Sequence, residues 1–229
     1  LQTTDPFYDP TMLPAGAGQL GTGVQVASIQ RAHDDFVQQQ IIYQNQAQQQ
    51  QQTLSNTLGQ ISQVFNDPSS QGFSNLLSSY FTAWQQLANN PSDNPTRAAL
   101  AAQGQALAGG FNAASSALHT LQQNQDGQIG PFVSQINTIT QQLAALNQQM
   151  TAVSVTGQTP NDLMDKRDNL LNQLSQVANI QYTVTTNGAV NVALVGAGML
   201  VQGVTAAPLA TMPDPARSQT TDVVFQGST

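Results

Sequence analysis

The densest group of side chains able to do chemistry lies between Asp162 and Asp168, where Asp162, Asp165, Lys166, Arg167 and Asp168 crowd together. Asp165 and Asp168 are three apart and share a face if the segment is helical, an arrangement that could serve as general acid and base beside an electrophilic Arg167. The same residues also support a structural reading. Thr159 is placed as an N-cap, Pro160 at the first helical position and Asp162 near the third, while Asp162 and Lys166 form an i,i+4 pair of favourable orientation. This reading gathers Pro160, Asn161, Asp162, Leu163, Asp165, Arg167, Asp168 and Leu171 into one structural motif. It accounts for more of the residues than catalysis does, because catalysis also needs a pocket.

Two other matches fail on context. Gly16-Ala17-Gly18-Gln19-Leu20-Gly21 has the letters of a dinucleotide-binding turn, but Pro14 precedes it instead of a buried strand and Gly23-Val24-Gln25-Val26 follows it instead of a helix. His33-Asp34-Asp35 offers metal-ligand types, yet adjacent helical residues diverge and His119 is the only other histidine. His33 is therefore placed on an apolar stripe with two solvated aspartates beside it. Cysteine is absent, so thiolate chemistry, disulfides and Cys-based metal sites fall away together. Neither a nucleophile elbow nor a Walker A loop nor an H-E-x-x-H motif occurs. No catalytic, cofactor or metal residue is assigned.

Composition narrows the partners. The 229 residues carry 7% charged side chains and a formal charge of -7, against about 25% charged in an ordinary domain. All twelve acids are Asp, and five basic residues cannot track a phosphate backbone or an anionic bilayer. Nucleic acid and membrane are excluded as partners on this ground. The chain begins at Leu1 without Met and reads as an excised piece.

The elements that must position these residues follow from periodicity. Residues 1–28 hold too many breakers for a packed element and are expected as an extended or irregular arm ending in a short strand at Val24, Val26 and Ser28. Ile29, His33, Phe36, Tyr43, Ala47, Leu54, Leu58, Ile61 and Phe65 follow three- and four-residue steps and predict one long amphipathic helix, stopped by Asp67-Pro68. Phe73 to Ala88 predicts a shorter aromatic helix with the densest part of the core. Asn94 is expected as an N-cap before Pro95, opening a helix that runs to Val153 with a kink at Gly130-Pro131. A further helix carries the Asp162–Asp168 cluster.

After Ile180 the period changes to two. Tyr182, Val184 and Thr186 lead to Asn187-Gly188, a type I′ hairpin signal, and Val190, Val192 and Leu194 alternate after it. Met199–Val204 and Leu209–Met212 are expected to extend this small antiparallel sheet. The resulting division is an arm over 1–28, a long helical rod over 29–178, a β appendage over 179–212, and a linker with the start of a following domain over 213–229. Helices of roughly 55 and 90 Å, at 1.5 Å per residue, exceed the dimensions of a compact globule of this length, for which the radius of gyration is about 17 Å. The expected class is mainly α, an elongated bundle of long helices with a small antiparallel β appendage. Its stripes are expected to leave an apolar groove uncovered along 29–65 and 95–153.

Several stretches together resemble the flagellar hook-associated protein 1 family. They are Gly23-Val24-Gln25-Val26, Ile29-Gln30-Arg31 with Asp34-Asp35-Phe36, Asn94-Pro95-Thr96-Arg97, Pro160 through Leu171 with Leu174-Ser175, and Met199-Leu200-Val201-Gln202-Gly203. The likeness runs from about Gly18 to the end, and Pro160–Leu171 is its most specific part. It implies a flagellin-like rod domain in a structural axial component of the bacterial flagellum. Such a component is exported by the flagellar type III apparatus, lies outside the cell and joins hook to filament as a ring of subunits. The implied partners are other copies of itself, hook protein and other hook-associated proteins, with no enzyme activity and no cofactor. It also implies a partner helix later in the protein, beyond Thr229. The alternative is a secreted coiled-coil adhesin or type III translocator binding a host surface.

Overall fold

The computed structural model describes residues 2–7 and 25–30 by their backbone, and 31, 33–65, 72–155, 160–217 and 220–226 with their side chains. Among the described residues five helices and eight strands follow in the order β1 (Gln2–Phe7), β2 (Gln25–Arg31), α1 (Asp35–Phe65), α2 (Phe73–Asn89), α3 (Asn94–Gly127), α4 (Ile129–Ser154), α5 (Asn161–Ser175), β3 (Ile180–Val184), β4 (Val190–Leu194), β5 (Gly198–Gln202), β6 (Thr205–Ala206), β7 (Leu209–Pro213) and β8 (Thr221–Phe225). The expected mainly α class with small antiparallel sheets is the class found. Two compact units divide the chain, one of Leu1–Gln46 with Ile139–Ala207, the other of Ala47–Thr138 with Pro208–Thr229. This grouping by contact differs from the division by sequence texture, because each unit joins segments far apart in sequence. The Gly16–Gly21 turn, Asp67-Pro68 and Thr159 lie outside the described residues.

In the first unit the described residues of the arm form two strands. Gln2–Phe7 pairs antiparallel with β2, and the register shifts between Asp5 and Pro6, where proline has no N–H for the ladder. The pairing also claims Ile29–Arg31, which were expected in the long helix. That helix starts at Asp35 because the Asp34 carboxylate accepts from the N–H groups of Phe36 (2.9 Å) and Val37 (3.3 Å), an N-cap that ends the strand region.

The packed core of this unit comes from α4, α5 and the β3-β4-β5-β6 sheet. Leu143, Met150, Leu171, Leu174, Val190, Val192, Leu200 and Val201 are fully buried. The strands of this sheet pair in sequence order, β3 to β4 from Ile180↔Leu194 to Val184↔Val190. Their connection is therefore the five-residue loop Thr185–Ala189 instead of the expected two-residue turn at Asn187-Gly188. Asn187 explains the difference, since its side-chain oxygen accepts from the Ala189 N–H (3.2 Å) and the Thr185 hydroxyl (2.5 Å), closing a wider turn. Gly188 sits at φ +81° with Met164 against it, and an added Cβ would meet Met164 Cε at 2.9 Å.

The second unit holds the α2–α3 pair. Leu76 and Ala83 of α2 are buried, and Gly110 of α3 admits Leu76, whose Cδ1 would lie 2.6 Å from a Cβ there. Phe73 packs edge-on against Phe111 (4.7 Å) and Phe65 (6.3 Å). The expectation that this helix carries the densest core is corrected: Phe81 and Trp84 are 55% and 54% exposed, since they face away from the one side on which Leu76 and Ala83 are buried.

The helix start after the α2 turn is displaced by one residue from expectation. Asp93, not Asn94, is the cap, its carboxylate accepting from the N–H (3.2 Å) and hydroxyl of Thr96, and the negative charge also suits the helix N-terminus. The single kinked helix expected from Asn94 to Val153 is two helices parted at Gln128. Pro131 supplies no N–H to the carbonyl four residues back, that of Gly127, which is where α3 ends. Leu209–Pro213 does not join the hairpin sheet. It pairs instead with Thr221–Phe225 as a separate two-stranded ribbon, from Leu209↔Phe225 to Pro213↔Thr221.

Candidate functional site

The Asp162–Asp168 cluster opens α5. The Pro160 carbonyl accepts from the N–H groups of Leu163 and Met164 (both 3.0 Å), so Pro160 occupies the cap and Asn161 is the first helical residue, one position later than the sequence implied. Asp162 is exposed in the first turn, where its charge meets the positive helix end. Leu163 is half-buried and Leu171 is fully buried among the core residues.

Arg167 and Asp168 turn inward and are 3% and 7% exposed. Asp168 Oδ1 accepts from both Nε and Nη2 of Arg167 at 2.8 Å, and Arg167 Nη1 donates to the Gly188 carbonyl at 2.7 Å. One guanidinium thus holds its neighbour's carboxylate and the β3–β4 loop together. Asp168 Oδ2 takes a second guanidinium, Arg31 Nη2 from the end of β2, while Arg31 Nε reaches Asp165 Oδ1 at 2.7 Å. Arg31 therefore bridges two carboxylates spaced three apart on α5. His33 sits beside them, with Nδ1 3.6 Å from Asp168 Oδ2 and Nε2 2.9 Å from Asp35.

Tyr182 borders this network. Burial first, and then the Asp168 carboxylate, raise its phenol above the usual 10.0; the Arg167 charge opposes this and Asp35 adds to it. The sign follows from linkage: the folded chain holds the phenolic proton more tightly than the unfolded chain, so this contribution to stability is complete below pH 10 and is lost as pH rises through the raised folded value. Ultraviolet titration should show a late phenol ionisation, above the usual 10.0, that belongs to Tyr182. Tyr182→Phe should abolish that late phase, and an unchanged late phase would assign it elsewhere.

The geometry fixes three segments to one another: the end of β2, α5 and the β3–β4 loop. An open recess of about 380 Å³ adjoins the network, lined by Arg31, His33, Asn161, Met164, Arg167 and Thr185 among others. Both of its guanidinium groups are already committed to Asp165 and Asp168. Among the described residues no group of three potential ligands could hold a metal, and no helix is long and apolar enough to cross a membrane.

Sequence reasoning did not assign Arg31 to this network. It also passed over Asn147, which is fully buried on α4 at a position continuing the apolar stripe. Its Nδ2 donates to the carbonyls of Val190 (2.7 Å) and Gly203 (2.6 Å), and its Oδ1 accepts from the Val190 N–H (2.9 Å). The signal available was an Asn at a core position of an amphipathic helix, where an unpaired amide would be costly.

The larger candidate surface is apolar. Of α1 only Ile42 is buried, while Phe36 (73% exposed), Ile41, Tyr43, Leu54, Leu58 and Phe65 face outward, and α3 buries no residue. The expected groove is thus open along α1 and half-buried along α3, whereas along α4 the expectation is corrected: Val133, Ile136, Ile139, Leu143, Leu146 and Met150 are buried, because the stripe of α4 is taken up in packing within the chain.

Comparison with known proteins places these features. The family described as "Flagellar hook-associated protein FlgK helical domain" matches residues 58–229. "Flagellar hook-associated protein 1" of Salmonella typhimurium strain LT2 is 35% identical over 230 residues, covering 98% of this chain and 40% of that protein. The protein of the same name from Bacillus subtilis strain 168 is 34% identical over 172 residues, covering 75% of this chain and 34% of that one. A solved structure, "the flagellar hook junction protein FlgK from Burkholderia pseudomallei", superposes with a TM-score of 0.65 at 33% identity, covering 82% of this chain and 34% of that chain. The chain spans well under half the length of these relatives. A helical match over three quarters of its residues, relatives sharing a third of theirs, and a common backbone together show that the chain belongs to the flagellar hook-associated protein FlgK family.

Proposed function

We propose that the chain is part of a structural, axial component of the bacterial flagellum, which lies outside the cell and joins hook to filament by self-assembly into a ring of subunits. The observation that carries this reading is the uncovered apolar row along α1 in a chain of this family. A low-charge surface of this kind favours subunit packing: copies of net charge -7 approach most easily where the contact carries few charges. The words hook and junction in the names of its relatives support hook protein, other hook-associated proteins and further copies of itself as the partners in this reading. The buried Arg31–Asp168–Arg167 network serves as a brace, without catalysis or cofactor. No feature favours a host-surface adhesin.

The test is genetic. Cells lacking the full-length protein should carry hooks without attached filaments, and its return should restore them. Leu54→Ser with Leu58→Ser in the full-length protein should lower filament attachment roughly tenfold or more, since each apolar side chain withdrawn from a packed contact forfeits about 1.5–3 kcal/mol. Filaments that remain attached in the deletion strain would overturn the reading.

A further inference from the structure

The segment Gly127-Gln128-Ile129-Gly130-Pro131 has the makings of a hinge. It holds two glycines and a proline in five residues, and the Gly127 carbonyl loses its helical partner to Pro131. The backbone is nevertheless carried across with little interruption: the Gln128 N–H donates to the Gln125 carbonyl (3.1 Å) and the Phe132 N–H to that of Gln128 (3.2 Å).

The β7–β8 ribbon fastens to both sides of this segment. On the α3 side, Asp126 takes the Thr221 N–H on one carboxylate oxygen (2.6 Å) and the Thr221 hydroxyl on the other (2.7 Å). On the α4 side, Asn137 gives its amide to the Leu209 carbonyl and accepts the Leu209 N–H, both at 2.8 Å, as a neighbouring strand would. The two anchors lie at opposite ends of the ribbon, Leu209 opposite Phe225 and Thr221 opposite Pro213. Along the strands they are about 13 Å apart at 3.3 Å per residue, and Asp126 and Asn137 are about 16 Å apart at 1.5 Å per residue. The match in length lays the ribbon along the junction. Its far end is itself closed by Asp214, which accepts from the N–H groups of Ala216 (2.7 Å) and Arg217 (3.2 Å) and from the Thr220 hydroxyl (3.3 Å).

We infer that the β7–β8 ribbon is a splint across the Gly127–Pro131 hinge, holding the end of α3 and the first turns of α4 at one angle, with Asp126–Thr221 as the fastening whose release lets them bend. Residues 126–137 and 209–226 belong to the same compact unit, so the device is internal to that unit. It is independent of the function proposed above.

The absence of native cysteine allows a direct reading. Spin labels on Ser115→Cys and Gln135→Cys, both exposed positions, lie roughly 30 Å apart along the helices, and the width of their distance distribution reports the hinge. In the otherwise unaltered chain the distribution should be narrow. Asp126→Ala, which removes both acceptors, should widen it at least about twofold, with helix content unchanged by circular dichroism. Amide exchange at Gln128, Ile129 and Phe132 should accelerate by about tenfold in Asn137→Ala, which frees the other anchor. A distribution as narrow in Asp126→Ala as in the parent would overturn the splint. If Asp126→Ala fails to fold, Thr221→Val decides: it removes only the hydroxyl, and widening supports the splint while an unchanged width overturns it.

Discussion

Arg167→Ala should lower the melting temperature by about 10 °C, the largest effect expected of any single charged residue in the chain. The guanidinium is nearly inaccessible and makes three hydrogen bonds, two to Asp168 and one to the Gly188 carbonyl. Its removal leaves the Gly188 carbonyl without that donor and Asp168 with Arg31 as its remaining guanidinium. Breaking a buried pair from one side costs about 3–5 kcal/mol, because the charge left behind keeps its desolvation penalty. Arg167→Lys should recover only part of the loss, since one ammonium on a flexible stem cannot reproduce a fork on Asp168 and a third bond to the loop. Arg167→Ala should also raise the Tyr182 phenol further, because the Arg167 charge now opposes that rise. Thermal unfolding and tyrosine titration read the two consequences separately. An Arg167→Ala chain that melts with the parent would show that the network is not a brace.

The second large effect is expected at Asn147. Asn147→Ala should cost about 3 kcal/mol or more, at about 1–3 kcal/mol for each buried polar group left unmatched. Both backbone groups of Val190, itself fully buried, depend on this one side chain, as does the Gly203 carbonyl. Asn147→Asp separates hydrogen bonding from shape. The carboxylate keeps an acceptor for the Val190 N–H but turns the donor that faced two carbonyls into a third acceptor, so it should be at least as damaging as Ala. Chemical denaturation gives the free energies, and amide exchange at Val190 reports the local loss. Equal stability of parent and Asp variant would contradict the assignment.

Two residues of α4 do the same task at different sheets. Asn147 serves the β3–β6 sheet and Asn137 the β7–β8 ribbon, each offering a donor and an acceptor to both backbone groups of a single strand residue. A strand edge presents unpaired N–H and C=O groups, and a carboxamide reproduces the pattern of a neighbouring strand. Helix and sheet are joined here by hydrogen bonds as well as by apolar contact.

Much of this was legible in the sequence because it is local. The three- and four-residue spacing of apolar positions marked the helices, since that spacing puts a stripe on one face whatever the stripe later meets. The alternation after Ile180 marked the strands for the same reason. The Pro160–Leu171 segment carried both the helix start and the family resemblance. Boundaries were harder, being settled by competition between nearby groups: Asp93 over Asn94, Asp34 over Ile29, Gln128 over an unbroken helix.

What only the tertiary structure decided is which distant groups meet. Arg31 and Asp168 are 137 residues apart, and nothing in the spacing around either one names the other. Asn137 reads as an ordinary polar residue until Leu209 is placed beside it, and Asn147 reads as a flaw in an apolar stripe until Val190 is. Leu209–Met212 alternates like any strand of the hairpin sheet, yet it pairs with Thr221–Phe225, because an alternating strand specifies which face is buried and leaves its partner open. Periodicity is a property of one segment, whereas pairing is a choice among all segments, and that choice is made by the free energy of the assembled whole.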